Sequence, residues 1–265
     1  MDDMALDLTR FDHLTQDELW DADAAARYDS PGEGMSSPEV LGPTVDRLVD
    51  LADGGPVLEF AVGTGRVAIP LARRGVPVAG LEASRHMIDQ LHRTDGGDLL
   101  TPVVRGDMAS TRVPGEFSLV VLVFNTIANL LTQDAQVECF RNAAAHLRPG
   151  GRFVIELWVP DLRGVSPSVP AQVFGARDDY VGLDVMDTAT QRLMSHHVHF
   201  GPSVGGDDRG AARIGFTPHR YIWPSELDLM GRLAGFELES RHADWTGAPF
   251  TSESGSHVSV YRLPA

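Results

Sequence analysis

The chain has no lysine and a single cysteine, Cys139, among its 265 residues. Without lysine there is no Schiff base to pyridoxal phosphate or to a carbonyl substrate, and no phosphate-gripping lysine of the P-loop kind. One cysteine excludes an intramolecular disulfide and argues against a structural zinc site, so no metal is expected and a reducing cytoplasm is the expected compartment. Cationic charge is also scarce. Arginine alone supplies the 22 basic side chains against 37 acidic ones, a formal net charge of −15. That balance speaks against nucleic acid as a main partner, because phosphate binding needs a basic surface. A neutral or cationic small molecule suits it better. No apolar run approaches the ~20 residues of a membrane span. The opening MDDMALDLTR is polar and acidic, unlike the basic leader of a signal segment, so no membrane partner is expected.

What is present is an alternation of apolar runs and helical patterns, in a chain that is 43% hydrophobic and able to bury a sizeable core. Strands are predicted at 56–62, 76–82, 100–107, 117–124 and 152–158. Helices are predicted at 38–52, from Arg66 to Arg74, after a Ser84 cap, and from Thr132 to a stop at Pro149-Gly150-Gly151. Strand–helix alternation implies right-handed βαβ units and a doubly wound parallel sheet, with ligands at the carboxyl ends of its strands. Residues 164–223 lose that periodicity. Apolar and polar residues alternate around 180–186, 192–200 and 212–222, around a turn-rich stretch at 201–210, which predicts an antiparallel insertion. Ser225 and Asp228 suggest a capping box, Gly235 a helix end, and 236–245 and 256–263 a last antiparallel pair. The expected organisation is an N-terminal helical lid segment over 1–52, a Rossmann-like core over 53–163, a cap insertion over 164–223 and the rest of the core over 224–265.

The stretch VLEFAVGTGRVA, residues 57–68, carries the chemistry. Gly63-x-Gly65-x-x-Ala68 between a strand and a helix fits a dinucleotide fingerprint. Three acids decide what it holds: Glu59 inside the first strand, Glu82 ending the second and Asp107 after the third. A dinucleotide accepts one acid on its ribose, but its pyrophosphate needs backbone donors and a helix N-terminus rather than further carboxylates. S-adenosylmethionine has no phosphate. Its ammonium, ribose diol and adenine amine all donate to carboxylates, and charge-assisted bonds of this kind are strong.

At these residues the chain resembles the class I S-adenosylmethionine-dependent methyltransferases. The matching features are Glu59-Phe-Ala-Val-Gly-Thr-Gly-Arg66, Gly80-Leu-Glu-Ala-Ser84, Gly106-Asp107-Met108, Val123-Phe-Asn-Thr126 and Leu147-Arg-Pro-Gly-Gly151. More narrowly, Arg27-Tyr28-Asp29, the length and the insertion resemble small-molecule N-methyltransferases of actinobacteria that act on aminosugars and amines in antibiotic tailoring. The resemblance implies a Rossmann-like sheet of seven strands with the last antiparallel, and the antiparallel insertion capping the active site. It implies S-adenosylmethionine as cofactor, with Glu59, Gly63 and Gly65 around the methionine part, Glu82 on the ribose, and Asp107 with Met108 on adenine. The family more often has aspartate where Glu82 stands. Ala61, Thr64, Ala83, Met87, Phe124 and Asn125 complete the expected cofactor contacts.

Each assignment has a plain structural alternative. Glu59 could be a buried carboxylate bonded to backbone, and Asp107 a turn cap. Asn125 and Asn129, two of the chain's three asparagines, could accept from a substrate amine or hold a backbone turn. Trp20 and Tyr28 could belong to a lid or to an ordinary packed helix. On a strand, His197 and His199 share one face and His196 the other, so His197 is the candidate base and a sheet-surface histidine the alternative. Tyr28, Asn125 and His197 are therefore the candidate catalytic residues. The expected reaction is methyl transfer to a small-molecule acceptor, N- rather than O-methylation, since no aspartate–histidine pair is evident. A nicotinamide-dependent oxidoreductase and a non-catalytic cofactor-binding protein are the competing classes. The edge strands of an inserted layer suggest a homodimer.

Overall fold

Hydrophobic periodicity changes near residue 164, and the polypeptide changes sheet there. The computed structural model describes residues 8–29, 36–166, 168–201 and 212–265. In the first sheet, β1 (Val57–Phe60), β2 (Val78–Glu82), β3 (Val103–Arg105), β4 (Phe117–Leu122) and β5 (Leu147–Trp158) are parallel. β11 (Ser256–Arg262) lies antiparallel between β5 and β10 (Glu237–His242), giving the seven-stranded order β10-β11-β5-β4-β1-β2-β3.

Strand alternation divides the core between the two faces. Leu58, Phe60, Leu81, Val120, Leu122, Phe153 and Ile155 pack with Phe140 of α6 (Gln133–His146) and Met230 of α7 (Pro224–Leu233). Val57, Val78, Leu119, Val121 and Val154 pack with Leu48 of α3 (Pro38–Ala52), Leu71 of α4 (Ala68–Arg73) and Leu91 of α5 (Arg85–Arg93). Both faces of the parallel strands are thus covered, which is why these strands read as continuous apolar runs. Ser84 caps α5, accepting from His86 and Met87, and Thr132 caps α6. Two short helices, α1 (Gln16–Leu19) and α2 (Ala22–Arg27), precede this core.

The insertion forms a separate antiparallel sheet ordered β6 (Ala171–Arg177), β7 (Tyr180–Asp187), β8 (Arg192–Phe200), β9 (Ala212–Arg220). The turn expected at 201–210 lies, apart from residue 201, outside the described residues. β6 was not expected. It is an edge strand with Val173 and Phe174 both exposed, so it lacks the alternation that marks its neighbours. Two boundaries also differ. α7 starts at Pro224 after Trp223, so Ser225 is inside the helix and Asp228 instead accepts from Arg241 and the Tyr261 hydroxyl. α6 ends at His146, and the residues of Pro149-Gly150-Gly151 are absorbed in a register shift where β5 begins. Among the described residues, no helix is long and apolar enough to cross a membrane.

Candidate active site

A pocket opens at the carboxyl ends of β1 and β2, lined by Ala61, Gly63, Leu81, Glu82, Ala83, Met87, Gly106, Asp107 and Met108. The two glycines of the fingerprint do different work. Both have positive φ, +55° at Gly63 and +87° at Gly65. A Cβ on Gly63 would meet only the Ala61 carbonyl, at 3.9 Å, so the backbone there is open to a ligand. A Cβ on Gly65 would lie 2.5 Å from Leu91 Cδ1 and 2.8 Å from Ile69 Cδ1. Gly65 therefore lets the loop close onto α4 and α5 and does not face the pocket.

Glu82 organises the rim. Its Oε2 accepts from the Gly63 N–H at 2.9 Å and its Oε1 from the Ser84 N–H at 2.8 Å. This buried carboxylate ties β1 to β2 and still has lone pairs for a diol, since each oxygen can accept twice. Burial pushes its pKa upward, opposed by the backbone donors. Asp107 is exposed at the rim. Its Oδ1 accepts from the Ala109 N–H at 2.7 Å, so it is a turn cap as well as a pocket wall.

Glu59 and Thr64 do not line the pocket. Glu59 shares the face of Val57 and points beneath the N-terminus of α4. Burial drives its pKa up to about 8, against the opposing pull of Arg66 and the Ala68 N–H. Its Oε2 is buried without a partner among the described residues. The plain alternative describes its geometry: a buried carboxylate under the loop. Thr64 is also buried, and its hydroxyl donates to Asp29, fastening the N-terminal segment to the glycine loop.

That segment walls the pocket. The Ser84 hydroxyl donates to the Trp20 carbonyl (2.8 Å), and Asp17 accepts from the Arg85 N–H (2.7 Å) and from Arg105 (2.6 Å). These bonds place Gln16, Trp20 and Tyr28 along the opening, with Trp20 and Tyr28 edge to face at 5.5 Å. Tyr28 is expected to titrate above the usual phenol range because it is desolvated, so at neutral pH it is a phenol, not a phenolate base.

A second cavity of about 570 Å³ lies between the core and the cap sheet. Trp20, Tyr28, Thr126 and Asn129 line both spaces and mark the junction. Phe124 and Asn125, expected among the cofactor contacts, line only the second space. Both have positive φ, 56° and 63°, which a bulky residue such as Phe rarely adopts. β5 holds them there. Glu156 Oε2 accepts from the Phe124 N–H at 2.8 Å, the Glu156 carbonyl from the Asn125 N–H at 3.2 Å, and Asn125 Oδ1 from the Trp158 N–H at 2.7 Å. Asn125 thus has its oxygen engaged in the turn. Glu156 was missed in the sequence because it sits inside an apolar strand; its other oxygen accepts from Trp245 Nε1 at 2.9 Å.

The cap contributes alternate residues: Asp184 and Met186, then Leu193, Ser195 and His197, then Thr217, His219 and Tyr221. His197 faces the cavity as alternation requires, while His196 turns to the Met194 carbonyl and Phe216. The His197 Nδ1 is 2.8 Å from the Tyr180 hydroxyl. Gly182, cross-strand from His197, makes that possible, since a Cβ there would lie 2.4 Å from the Tyr180 oxygen. His197 lines the second cavity and not the first. His219, not singled out in the sequence, lines the same cavity with its Nδ1 buried and unpartnered among the described residues. Desolvation lowers its pKa to about 4.

Residues 57–151 match the family described as a methyltransferase domain. The structure of the CcbJ methyltransferase from Streptomyces caelestis superposes with a TM-score of 0.77 at 35% identity, covering 92% of this chain and 96% of that one. The chain belongs to the S-adenosylmethionine-dependent methyltransferases. Among curated relatives, the cypemycin N-terminal methyltransferase of a Streptomyces species is 26% identical, with 91% of this chain and 96% of that protein covered. The dTDP-3-amino-3,4,6-trideoxy-alpha-D-glucopyranose N,N-dimethyltransferase of Streptomyces venezuelae is 30% identical over 56% of this chain and 57% of its own.

The cofactor of this methyltransferase is S-adenosylmethionine, and the first pocket fits it. Gly63 is open to close approach, Glu82 faces the pocket with spare acceptor capacity, and Leu81, Met87, Met108 and Leu130 supply apolar walls for a base. Among the described residues, the lining contains two carboxylates and no arginine, a set of acceptors suited to an ammonium and a diol and unsuited to a pyrophosphate.

Proposed function

We propose that this methyltransferase N-methylates an amine on a small secondary-metabolite acceptor, the kind of tailoring step found in antibiotic biosynthesis. The observation that carries this reading is the junction. It is formed by Trp20, Tyr28, Thr126 and Asn129, with no carboxylate-held histidine among them to ionise a hydroxyl. An amine brings its own lone pair once neutral. The cypemycin and aminosugar relatives, named for N-terminal and N,N-dimethyl transfer, support the same chemistry.

In this reading Gly63, Glu82, Met87, Asp107 and Met108 hold the cofactor, whose sulfonium supplies an electrophilic methyl carbon and a thioether leaving group. Glu59, Thr64 and Gly65 act indirectly, by shaping the loop. The N-terminal segment serves as a lid that excludes water, and the cap sheet reads the acceptor. Alignment of nucleophile and methyl carbon can supply ~7–11 kcal/mol of the barrier reduction. Tyr28, a phenol at neutral pH, orients the amine through its oxygen rather than taking its proton. Asn125 holds the wall behind it. The proton is lost to solvent before transfer, so the neutral fraction of the acceptor amine sets the pH dependence. The protein works in the cytoplasm and pairs as a homodimer through the exposed edge strand β6; equilibrium sedimentation tests the pairing.

The test is methyl transfer from S-adenosylmethionine carrying a 13C-labelled methyl group to a panel of amines and alcohols. The product carbon shift separates N-methyl from O-methyl. N-methyl product with a log rate that climbs with pH and levels at the acceptor's own pKa is expected. Exclusive O-methyl product would overturn the reading.

A further inference from the structure

The wall of the second cavity is sorted by side and by charge. The core and the N-terminal segment give it an aromatic face, with Trp20, Tyr28, Phe124 and Trp158. The cap gives it a polar row: Asp184, Ser195 and Thr217 are directly paired across β7, β8 and β9. The Ser195 hydroxyl donates to Asp184 at 2.6 Å, and Asp184 is held above the usual carboxylate range by desolvation. The neighbouring row places His219, with its buried and unpartnered Nδ1, beside Trp158 at 5.9 Å. Asp161 adds a second carboxylate at the exposed edge of the lining, paired with Arg163 at 2.7 Å.

Cations are missing from this wall. No arginine is among the described residues that line it, and the chain has no lysine. The arginines nearby are committed elsewhere. Arg66 stacks on Phe124 at 4.9 Å and acts electrostatically on Glu59 and Tyr28. Arg192 pairs with Asp12, and Arg220 bonds Gln136, Gln191 and Glu226. Arg163 is turned to Asp161 at the exposed edge. A diphosphate placed deeper in this cavity would lie against Asp184 with no arginine in the described lining to meet it, and burying an unpaired charge costs more than shape complementarity returns.

We propose that the acceptor is a phosphate-free amine whose further hydroxyl or ammonium groups are read by the Asp184–Ser195–Thr217 row, and that amino sugars linked to a nucleoside diphosphate are rejected. This rests on the reading of the second cavity as the acceptor site. It separates this chain from the S. venezuelae relative, whose name specifies a dTDP-linked amino sugar and which matches only 56% of this chain.

Matched acceptor pairs test the proposal. One pair is a 3-amino-3-deoxyglucose presented as its methyl glycoside and as its dTDP ester. The other is a short peptide with a free N-terminal amine and the same peptide with phosphoserine at its second position. Binding to the full chain saturated with S-adenosylhomocysteine is measured by calorimetry, and turnover by product release. At least one phosphate-free member is expected to bind and to be favoured about 100-fold over its phosphorylated twin, a charge left unpaired in a desolvated site being penalised on that scale. Asp184→Asn is expected to weaken that member about tenfold while leaving S-adenosylhomocysteine affinity unchanged, as loss of one charge-assisted bond predicts. Equal or better binding of a phosphorylated twin, no binding by any phosphate-free amine, or an Asp184→Asn protein indistinguishable from wild type would overturn it. Turnover confined to hydroxyl acceptors would instead remove the N-methylation reading, with the charge discrimination still measured by binding.

Discussion

The two cavities meet at four shared residues, yet they are built from different materials. The cofactor pocket is made by backbone: a loop with positive φ at Ala61, Gly63 and Gly65, and a carboxylate, Glu82, that binds two N–H groups to hold that loop. The second cavity, which we read as the acceptor site, is walled on its cap side by side chains that alternate on a second sheet. Backbone sites constrain sequence tightly and side-chain walls constrain it loosely. A cofactor site should therefore fail as a unit when one member is removed, and an acceptor wall should respond in graded fashion.

The largest effect is expected at Glu82. Glu82→Ala strands the Gly63 and Ser84 N–H groups and removes the carboxylate proposed to accept from the ribose diol, so affinity for S-adenosylhomocysteine should fall about 100-fold or more, the scale of charge-assisted bonds lost together. Glu82→Asp should keep most of it. Calorimetric titration of both variants decides, and an alanine protein that binds normally would dissolve the distinction between the two cavities.

Glu156 probes the seam between them. Its side chain holds Phe124 in a positive-φ conformation and Trp245 in place, on a strand of the core, yet Phe124 lines the second cavity. Glu156→Gln swaps one acceptor oxygen for a donor, which cannot serve both N–H groups. We expect kcat/KM for the acceptor to drop about tenfold, as one lost hydrogen bond to a charged group implies, with cofactor affinity unchanged. A matching loss of S-adenosylhomocysteine binding would place Glu156 on the cofactor side instead.

Much of the core could be read directly. Apolar runs at 57–60, 78–82 and 117–122 read as doubly covered parallel strands, and the acids at strand ends, Glu82 and Asp107, line the first pocket together with Met108, which the family resemblance pointed to. What escaped was set by partners distant in sequence. Glu59 and Gly65 have the right spacing for cofactor contact, but the fold turns one under α4 and packs the other against Leu91 and Ile69. Periodicity placed His197 on the cavity face correctly. It gave no reason to choose His219, whose exposure to the cavity depends on how the cap sits over Trp158. Edge strand β6 left no alternation to find.

Glu59 offers a test within the cofactor half that should leave the acceptor half silent. Its folded pKa of about 8 lies above the ordinary 4.5, so the folded chain keeps a proton that the unfolded chain releases. Stability of the free protein should therefore fall as pH rises from about 4.5 to about 8 and level off beyond, at up to about 1.4 kcal/mol per pH unit for this one group. Glu59→Gln is neutral at every pH and removes that slope. The variant should match wild type in denaturant melts near pH 4 and exceed it at pH 8. Parallel curves at both ends would mean that Glu59 is ionised in the folded state and carries a counter-charge other than Arg66.

The smallest effect is expected at His197, the residue the sequence offered most readily as a base. Its Nδ1 lies against the Tyr180 hydroxyl, and desolvation with two neighbouring histidines lowers its pKa, so it is neutral in the working range. The Tyr180 hydroxyl engages Nδ1 in whichever direction the proton lies, so Nε2 is the ring nitrogen left to bond an acceptor. His197→Gln keeps a donor in that place. We expect kcat within about threefold of wild type and an unchanged pH profile, because general-base loss would cost about 10²–10⁴-fold. A profile that loses an ionisation together with a drop of that size would make the cap a catalytic layer as well as a recognition surface.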